Sequence, residues 1–429
     1  MGKTLSGQVT TINKDSAKAD NHWLLAKSWW LYLLYFAFRF AWLFALPITE
    51  APDEANHLWV VQFLFEHMRL PSHEEVFAAG TPAVYGSLAQ FGYLPHLVIA
   101  KAFPVEVLST TARLGSIFIG AGTVWAAIQI GKELFADKPL YRIALPLLVV
   151  VHPQLVFVNA YTNPDSTTIT LSSIIFLILV KAIKDGLTLK RSFAIGLLLG
   201  WIALAKQTGL VLIPAVFGGM IAALWLQSAS LSTAIFYLSV AVASMCGISL
   251  WWFVRNCLEF NGDIFGSKTM YETWKTILPR KDGVIVHPWP LVTSLKWWRY
   301  IWFDFWGLFG YMNRYLWRPV YFVYLGIAGA SIYGWLAGAV NKKDRAEKVI
   351  WILFGTCILL HLASMLYVTI TNVSGPHGRY LFPSIIPVFA LLLAGLSRLQ
   401  PRLGKTLVWL LIGLSTAATI GAWLYFYLP

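Results

Sequence analysis

The chain has 429 residues, of which 58% are hydrophobic and only 12% charged, with a formal charge of +13. Soluble domains are nearer half apolar and one-quarter charged, so this balance excludes an ordinary soluble enzyme and fits a chain solvated largely by lipid. Nucleic acid is not an expected partner: there is no basic domain, and the positive excess suits lipid phosphate and cytoplasmic anchoring.

In chain order, residues 1–28 are polar and mildly basic without an apolar signal-peptide core, and read as a cytoplasmic tail. Residues 29–429 read as a single transmembrane domain. Apolar runs near 29–47, 110–131, 141–160, 166–183, 192–205, 208–227, 233–254, 319–340, 349–370, 379–397 and 405–427 are the candidate spans. Most have the length a helix needs to cross the hydrocarbon core, which predicts an all-α polytopic membrane protein of about eleven transmembrane helices. The run at 192–205 is short. It is either a thin span or half of a broken hairpin turning at Lys206-Gln207-Thr208-Gly209. Aromatic pairs such as Trp29-Trp30, Trp251-Trp252 and Trp297-Trp298 mark run edges, where amphipathic rings collect.

Basic residues set the orientation. Lys132, Lys138 and Arg142; Lys181, Lys184, Lys190 and Arg191; Lys342-Lys343, Arg345 and Lys348; and Arg398, Arg402 and Lys405 all fall on the cytoplasmic side if the tail is inside. Residues 48–109, 161–165, 255–318 and 371–378 then lie outside. In the first of these loops, 53–68 reads as a juxtamembrane helix with Trp59, Val60, Phe63 and Leu64 on lipid. The aromatic stretch Trp289 to Trp317 is expected along the membrane surface. Cys246, Cys257 and Cys357 have no disulfide or zinc spacing.

Two acidic sites share the outer face. Pro52-Asp53-Glu54 follows the first span, with His57 one turn on, and Asn163-Pro164-Asp165 opens the fourth. Proline followed by acid is also an ordinary helix start. Their common face is what suggests a cavity in which one carboxylate accepts a proton and the other orients a ligand. Lys206, Arg255 and the segment His377-Gly378-Arg379-Tyr380 add groups suited to a phosphate. A span-end arginine such as Arg255 also commonly snorkels. With no Asp-x-Asp pair, a divalent metal is not signalled, and no other cofactor is evident.

These motifs, with Ala112-Arg113-Leu114, GLLLGWIALAKQTGLVLIP (Gly196 to Pro214), FDFWGLFGYMN (Phe303 to Asn313) and HGRYLFP (His377 to Pro383), resemble those of GT-C membrane glycosyltransferases. That superfamily includes protein O-mannosyltransferases, lipid A aminoarabinose transferases and a large bacterial GT-C-like family. The resemblance runs from Trp29 to about Leu396. It implies a GT-C-like fold in a bacterial inner membrane and an outer-face reaction. A polyprenyl-phosphate sugar would be the donor, and a hydroxyl on a glycan, lipid or protein the acceptor. By matching motif, Asp53 would be the base of an inverting displacement and Asp165 the second acid. Glu54, His57, Lys206, Arg255, His377, Arg379 and Tyr380 would bind substrate. His377 stands where the bacterial family often has Gln. A WWDYG-type motif is absent, which argues against oligosaccharide transfer to asparagine. The alternatives are a transporter or flippase of lipid-linked glycans, or a non-catalytic protein with this fold.

Overall fold

The computed structural model describes residues 28–48, 50–275, 288–338, 344–371 and 375–428. Residues 1–27 of the expected tail, and Lys342-Lys343 of one basic loop, lie outside the described residues. The chain begins with α1 (Trp29–Ala45) and then lays down three short helices, α2 (Glu54–His67), α3 (His73–Ala79) and α4 (Leu94–Ala100). The central bundle follows as α5 (Leu108–Leu134), α6 (Pro139–Val151), α7 (Pro153–Asn159), α8 (Asp165–Asp185), α9 (Leu189–Ala205), α10 (Ile213–Leu226) and α11 (Leu231–Glu259). A second long connecting segment contains α12 (Ser267–Lys275), α13 (Pro288–Val292), α14 (Leu295–Trp306) and a hairpin of β1 (Leu308–Phe309) with β2 (Arg314–Tyr315). The chain ends with α15 (Arg318–Ala337), α16 (Arg345–Ile370), α17 (Ile385–Leu396) and α18 (Pro401–Phe426).

Among the described residues eight helices are long and apolar enough to cross a membrane, or nine if α6 and α7 form one span bent by 52°. α1 and α9 have 17 residues each, or about 25 Å of helix at 1.5 Å per residue. Each of the eleven apolar runs overlaps a described helix, the run at 141–160 taking in both α6 and α7.

Contacts at the helix ends show that α9 runs the length of α8, from one end of the bundle to the other. It starts beside the end of α8, where Gly186 (φ 97°) turns the chain and the Thr188 hydroxyl accepts from Arg191 N at 3.3 Å. It ends at Lys206, whose ammonium meets the carboxylate of Asp165, the first residue of α8. α10 then returns, and Gln227 at its far end accepts from Leu187 N at 2.8 Å. The same logic assigns the other ends to two faces. Lys184 meets Glu133 at 2.9 Å and Lys138 meets Ser397 at 2.9 Å on one face. Arg314 donates to the Phe426 carbonyl at 2.7 Å on the face that carries Asp53 and Asp165.

The α6–α7 bend has a local cause. Pro153 has no N–H to give the turn before it, which frees carbonyls in the middle of the bundle. Arg39, fully buried on α1, donates to Val149 O at 3.0 Å and to Val150 O. In a membrane such carbonyls need an internal partner, and Arg39 supplies it.

Two expectations change. Val60, Phe63 and Leu64 of α2 are buried, and Val60 and Leu64 join Val61 in a cluster containing Tyr93, Leu97 and Leu108. That face packs on α4 and α5 rather than on lipid, because the loop folds back over the bundle. α14 is likewise only half at the surface. Leu295 is 84% exposed, whereas Trp297, Ile301, Phe305 and Trp306 point inward, with Trp306 stacked on Tyr324 at 3.8 Å.

Candidate active site

Asp53 sits where the chain leaves α1 and enters α2. Its backbone is left-handed (φ 61°, ψ 6°), a conformation that costs a non-glycine residue of order 1–3 kcal/mol unless its surroundings impose it. The first turn of α2 helps impose it, as Asn56 N and His57 N both donate to the Asp53 carbonyl at 3.0 Å. The side chain remains about one-third exposed, facing the cavity described below.

Asp165 is set by an asparagine. The Asn163 side chain accepts from Asp165 N at 2.9 Å and Ser166 N at 3.3 Å, and donates to the carbonyls of Val158 and Tyr161. This closes the turn between α7 and α8 and aims the Asp165 carboxylate at Lys206. Lys206 follows the last turn of α9 and leads into a 3-10 segment, Gln207–Leu212, so its ammonium projects from the break.

A third wall comes from the far end of the sequence. Residues Gly378–Ser384 form a 3-10 turn before α17. A Cβ at Gly378 would strike the Ile301 carbonyl and the Phe305 amide, so only glycine lets the turn lie on α14. Asp304, with no exposure, accepts from Arg379 N at 3.2 Å and from Gln154 Nε2 at 3.3 Å. The Arg379 guanidinium then donates to Tyr161 OH at 3.0 Å and lies 3.9 Å from Asp53.

These walls enclose a cavity of about 1250 Å³. Asp53, His57, Asp165, Lys206, His377, Arg379 and Tyr380 all line it. The Lys206 ammonium lies 5.9 Å from the centre of the Tyr380 ring. His57 contacts Tyr93 OH at 2.6 Å through Nδ1 and stacks on Tyr85 at 4.8 Å. Burial, then the Lys206 charge, holds its imidazole well below the usual histidine range, so it is neutral. His377 is pushed down to about 3, by burial first and then by Arg379 and Lys206. Asp304 is pushed up to about 6 because burial outweighs the Arg379 charge and the backbone donors. The 3.8 Å approach of His377 Nδ1 to Asp304 is therefore between a neutral ring and a carboxylate, not a salt bridge.

Two expected site residues lie elsewhere. Glu54 is fully buried behind Asp53 in a two-pronged ion pair with Arg113, at 2.7 and 2.6 Å. Adjacent residues at a helix start point in different directions, and here only Asp53 faces the cavity. Arg255 is outside it too: its guanidinium donates to the Pro71 carbonyl and lies 5.4 Å from the Phe260 ring centre, at the rim of α11. In the other direction, the sequence reading passed over Asp304 and Tyr161. The available signal was an acid inside Trp302-Phe303-Asp304-Phe305-Trp306, since a lone carboxylate among membrane-level aromatics needs a partner. Among the described residues no three His, Cys, Asp or Glu side chains gather as a metal site.

Residues 98–252 match the family model described as dolichyl-phosphate-mannose-protein mannosyltransferase. That segment contains Asp165 and Lys206 but not Asp53 or Arg379. The fold is similar to the crystal structure of ArnT from Cupriavidus metallidurans bound to undecaprenyl phosphate, with a TM-score of 0.54 and 16% identity over 89% of this chain and 62% of that one. The apo structure of the same protein gives a TM-score of 0.53 and 14% identity over 88% and 61% of the respective chains. The chain thus spans about three-fifths of the length of these structures. No curated protein sequence matches. The fold is thus an all-α, ArnT-like membrane bundle.

Proposed function

We propose that the protein transfers a sugar from a polyprenyl-phosphate donor to a hydroxyl acceptor at the outer membrane face, with inversion at the anomeric carbon. The observation that carries this is the set of charged groups lining one cavity. Asp53 and Asp165, brought from different elements, stand beside Lys206 and Arg379. Asp53 takes the proton from the acceptor hydroxyl as its oxygen bonds to the anomeric carbon. The bond from that carbon to the phosphate oxygen breaks, and the phosphate keeps the electron pair. Charge grows on the leaving phosphate, where fixed cations stabilise it more in the transition state than in the ground state. Asp165, held by Lys206, orients the sugar or the acceptor. That the similar ArnT structure is bound to undecaprenyl phosphate supports a polyprenyl-phosphate ligand.

Purified protein in vesicles, given undecaprenyl-phosphate mannose and other lipid-phosphate sugars with extracted envelope lipids and glycans, should form a new glycosidic bond. Asp53→Asn should lower the rate by at least a thousandfold without loss of folded protein. Full activity in that variant removes Asp53 as the base. Movement of the lipid-linked sugar across the bilayer without bond formation would make the protein a carrier instead.

A further inference from the structure

Glu54 and Arg113 have no access to the cavity. Their side chains are 0% and 2% exposed. What they touch is nevertheless specific to the two acidic sites. Arg113, on α5, gives Nε and Nη2 to the two Glu54 oxygens. Its remaining donors reach the carbonyls of Leu43 at 3.2 Å, Leu46 at 2.6 Å and Pro47 at 3.0 Å, closing the last turn of α1. Glu54 Oε1 also accepts from Thr162 N at 3.2 Å. One ion pair therefore joins the end of α1, the start of α2, the body of α5 and the α7–α8 turn. Asp53 is one residue from it in sequence, and Asp165 three residues from Thr162.

We propose that the Glu54–Arg113 pair is a positioning device that fixes the separation of Asp53 and Asp165. The inference rests on these two carboxylates being the acting pair. The left-handed backbone at Asp53 gives the pair its purpose. Such a conformation persists only where neighbours over-determine it, and the clamp fixes the very next residue. The same carboxylate fixes the turn that aims Asp165. Shared anchoring makes the separation of the two acids insensitive to motion of α1 or α8 alone. A simple fold-stabilising pair would need neither the Thr162 contact nor the α1 carbonyls.

Glu54→Asp tests this without leaving a buried arginine unpaired. The carboxylate stays but is withdrawn by one methylene, so it cannot reach Arg113 and Thr162 together. Misplacement of about 1 Å in a catalytic constellation can cost of order a hundredfold in rate. We expect kcat to fall thirtyfold or more, with KM for the lipid-phosphate sugar and the thermal shift given by undecaprenyl phosphate both within twofold. Arg113→Lys, which keeps the charge but loses the fork, should behave alike. Hydrogen exchange reads the clamp without any activity. In Glu54→Asp, amides of peptides covering 53–57 and 160–165 should exchange at least tenfold faster, while those of the α5 interior do not change. Unchanged exchange in both peptides overturns the proposal, as does a kcat loss matched by loss of folded protein. The underlying reading fails separately, through full activity in Asp53→Asn.

Discussion

Asp304 holds a charge where burial penalises it and hydrogen bonds reward it. Its pKa of about 6 against an ordinary 3.8 shows that burial wins. The sign of the linkage follows. Between pH 4 and 6 the folded protein binds this proton more tightly than the unfolded chain does, so the site's contribution to stability falls as pH rises through that window. Above pH 6 the cost is constant, at about 3 kcal/mol for a shift of this size. The buried histidines pull the other way. His377, lowered to about 3, favours the folded state as pH rises toward 6.5. The informative quantity is therefore the difference between wild type and Asp304→Asn. Relative to wild type, the variant should gain melting temperature from pH 4 to 6 and hold a constant offset above that. A difference that is flat across the range would show that the buried charge costs nothing. The same residue marks a limit of sequence reading. Asp53 and Glu54 are adjacent carboxylates, both after a proline, and only the left-handed turn at Asp53 separates a cavity group from a clamp. The aromatic flanks of Asp304 signal only that it needs a partner, not which one, because Gln154 and Arg379, which it joins, are distant in sequence.

At the scale of helices the sequence was more legible, because a membrane leaves the backbone few choices. The apolar runs mark the spans, and the ambiguous one at 192–205 is short only because its helix begins three residues earlier, at capped Leu189. What periodicity could not reveal is how closely α9 meets α11. A Cβ at Gly196 would strike Ser244 Oγ and the Ala241 carbonyl, and one at Gly200 would meet the Met245 carbonyl at 2.8 Å. Helices in lipid gain no hydrophobic drive toward each other and rely on such close approach. Most of α11 otherwise faces outward, with Leu231, Leu250 and Leu258 more than half exposed. Its end still reaches the chain beside the cavity, where Asn256 donates to Ser87 O at 3.1 Å, next to the cavity-lining Leu88. Gly196→Val should therefore loosen α11, at a cost of about 1–3 kcal/mol, the usual range for overpacking. A melting-temperature drop with reduced transfer is the expected result. Unchanged melting would mean that α11 has other holds. A glycine in a span signals such contacts only weakly, since Gly247, Gly413 and Gly421 have open space around them.

For the whole molecule the decisive property is parity. Asp53, Asp165, Lys206 and Arg379 meet because the crossings before each of them bring it to one face. The end-to-end contacts at Leu187–Gln227, Glu133–Lys184 and Lys138–Ser397 put the opposite ends together. Which face is outside follows from charge placement. Basic residues occur on both faces. On the opposite face, however, they flank connections of a few residues, as at Lys138, Lys190-Arg191, Arg398 and Arg402. On the cavity face most lie in the two long segments, 48–107 and 260–317. Orientation is set by basic residues of short loops, while long ones translocate largely regardless of charge, so the cavity face should be external. Single cysteines in a background lacking Cys246, Cys257 and Cys357 test this in bacterial cells. A membrane-impermeant maleimide should label Glu66→Cys and Lys101→Cys in intact cells. It should reach Lys190→Cys and Arg402→Cys only after permeabilisation. All four sites are exposed, so labelling reports the side and not burial. The reverse pattern would turn the cavity toward the cytoplasm. Asp53 would then have to work on donors and acceptors made there, and the outer-face reaction would be lost even with the carboxylate pair intact.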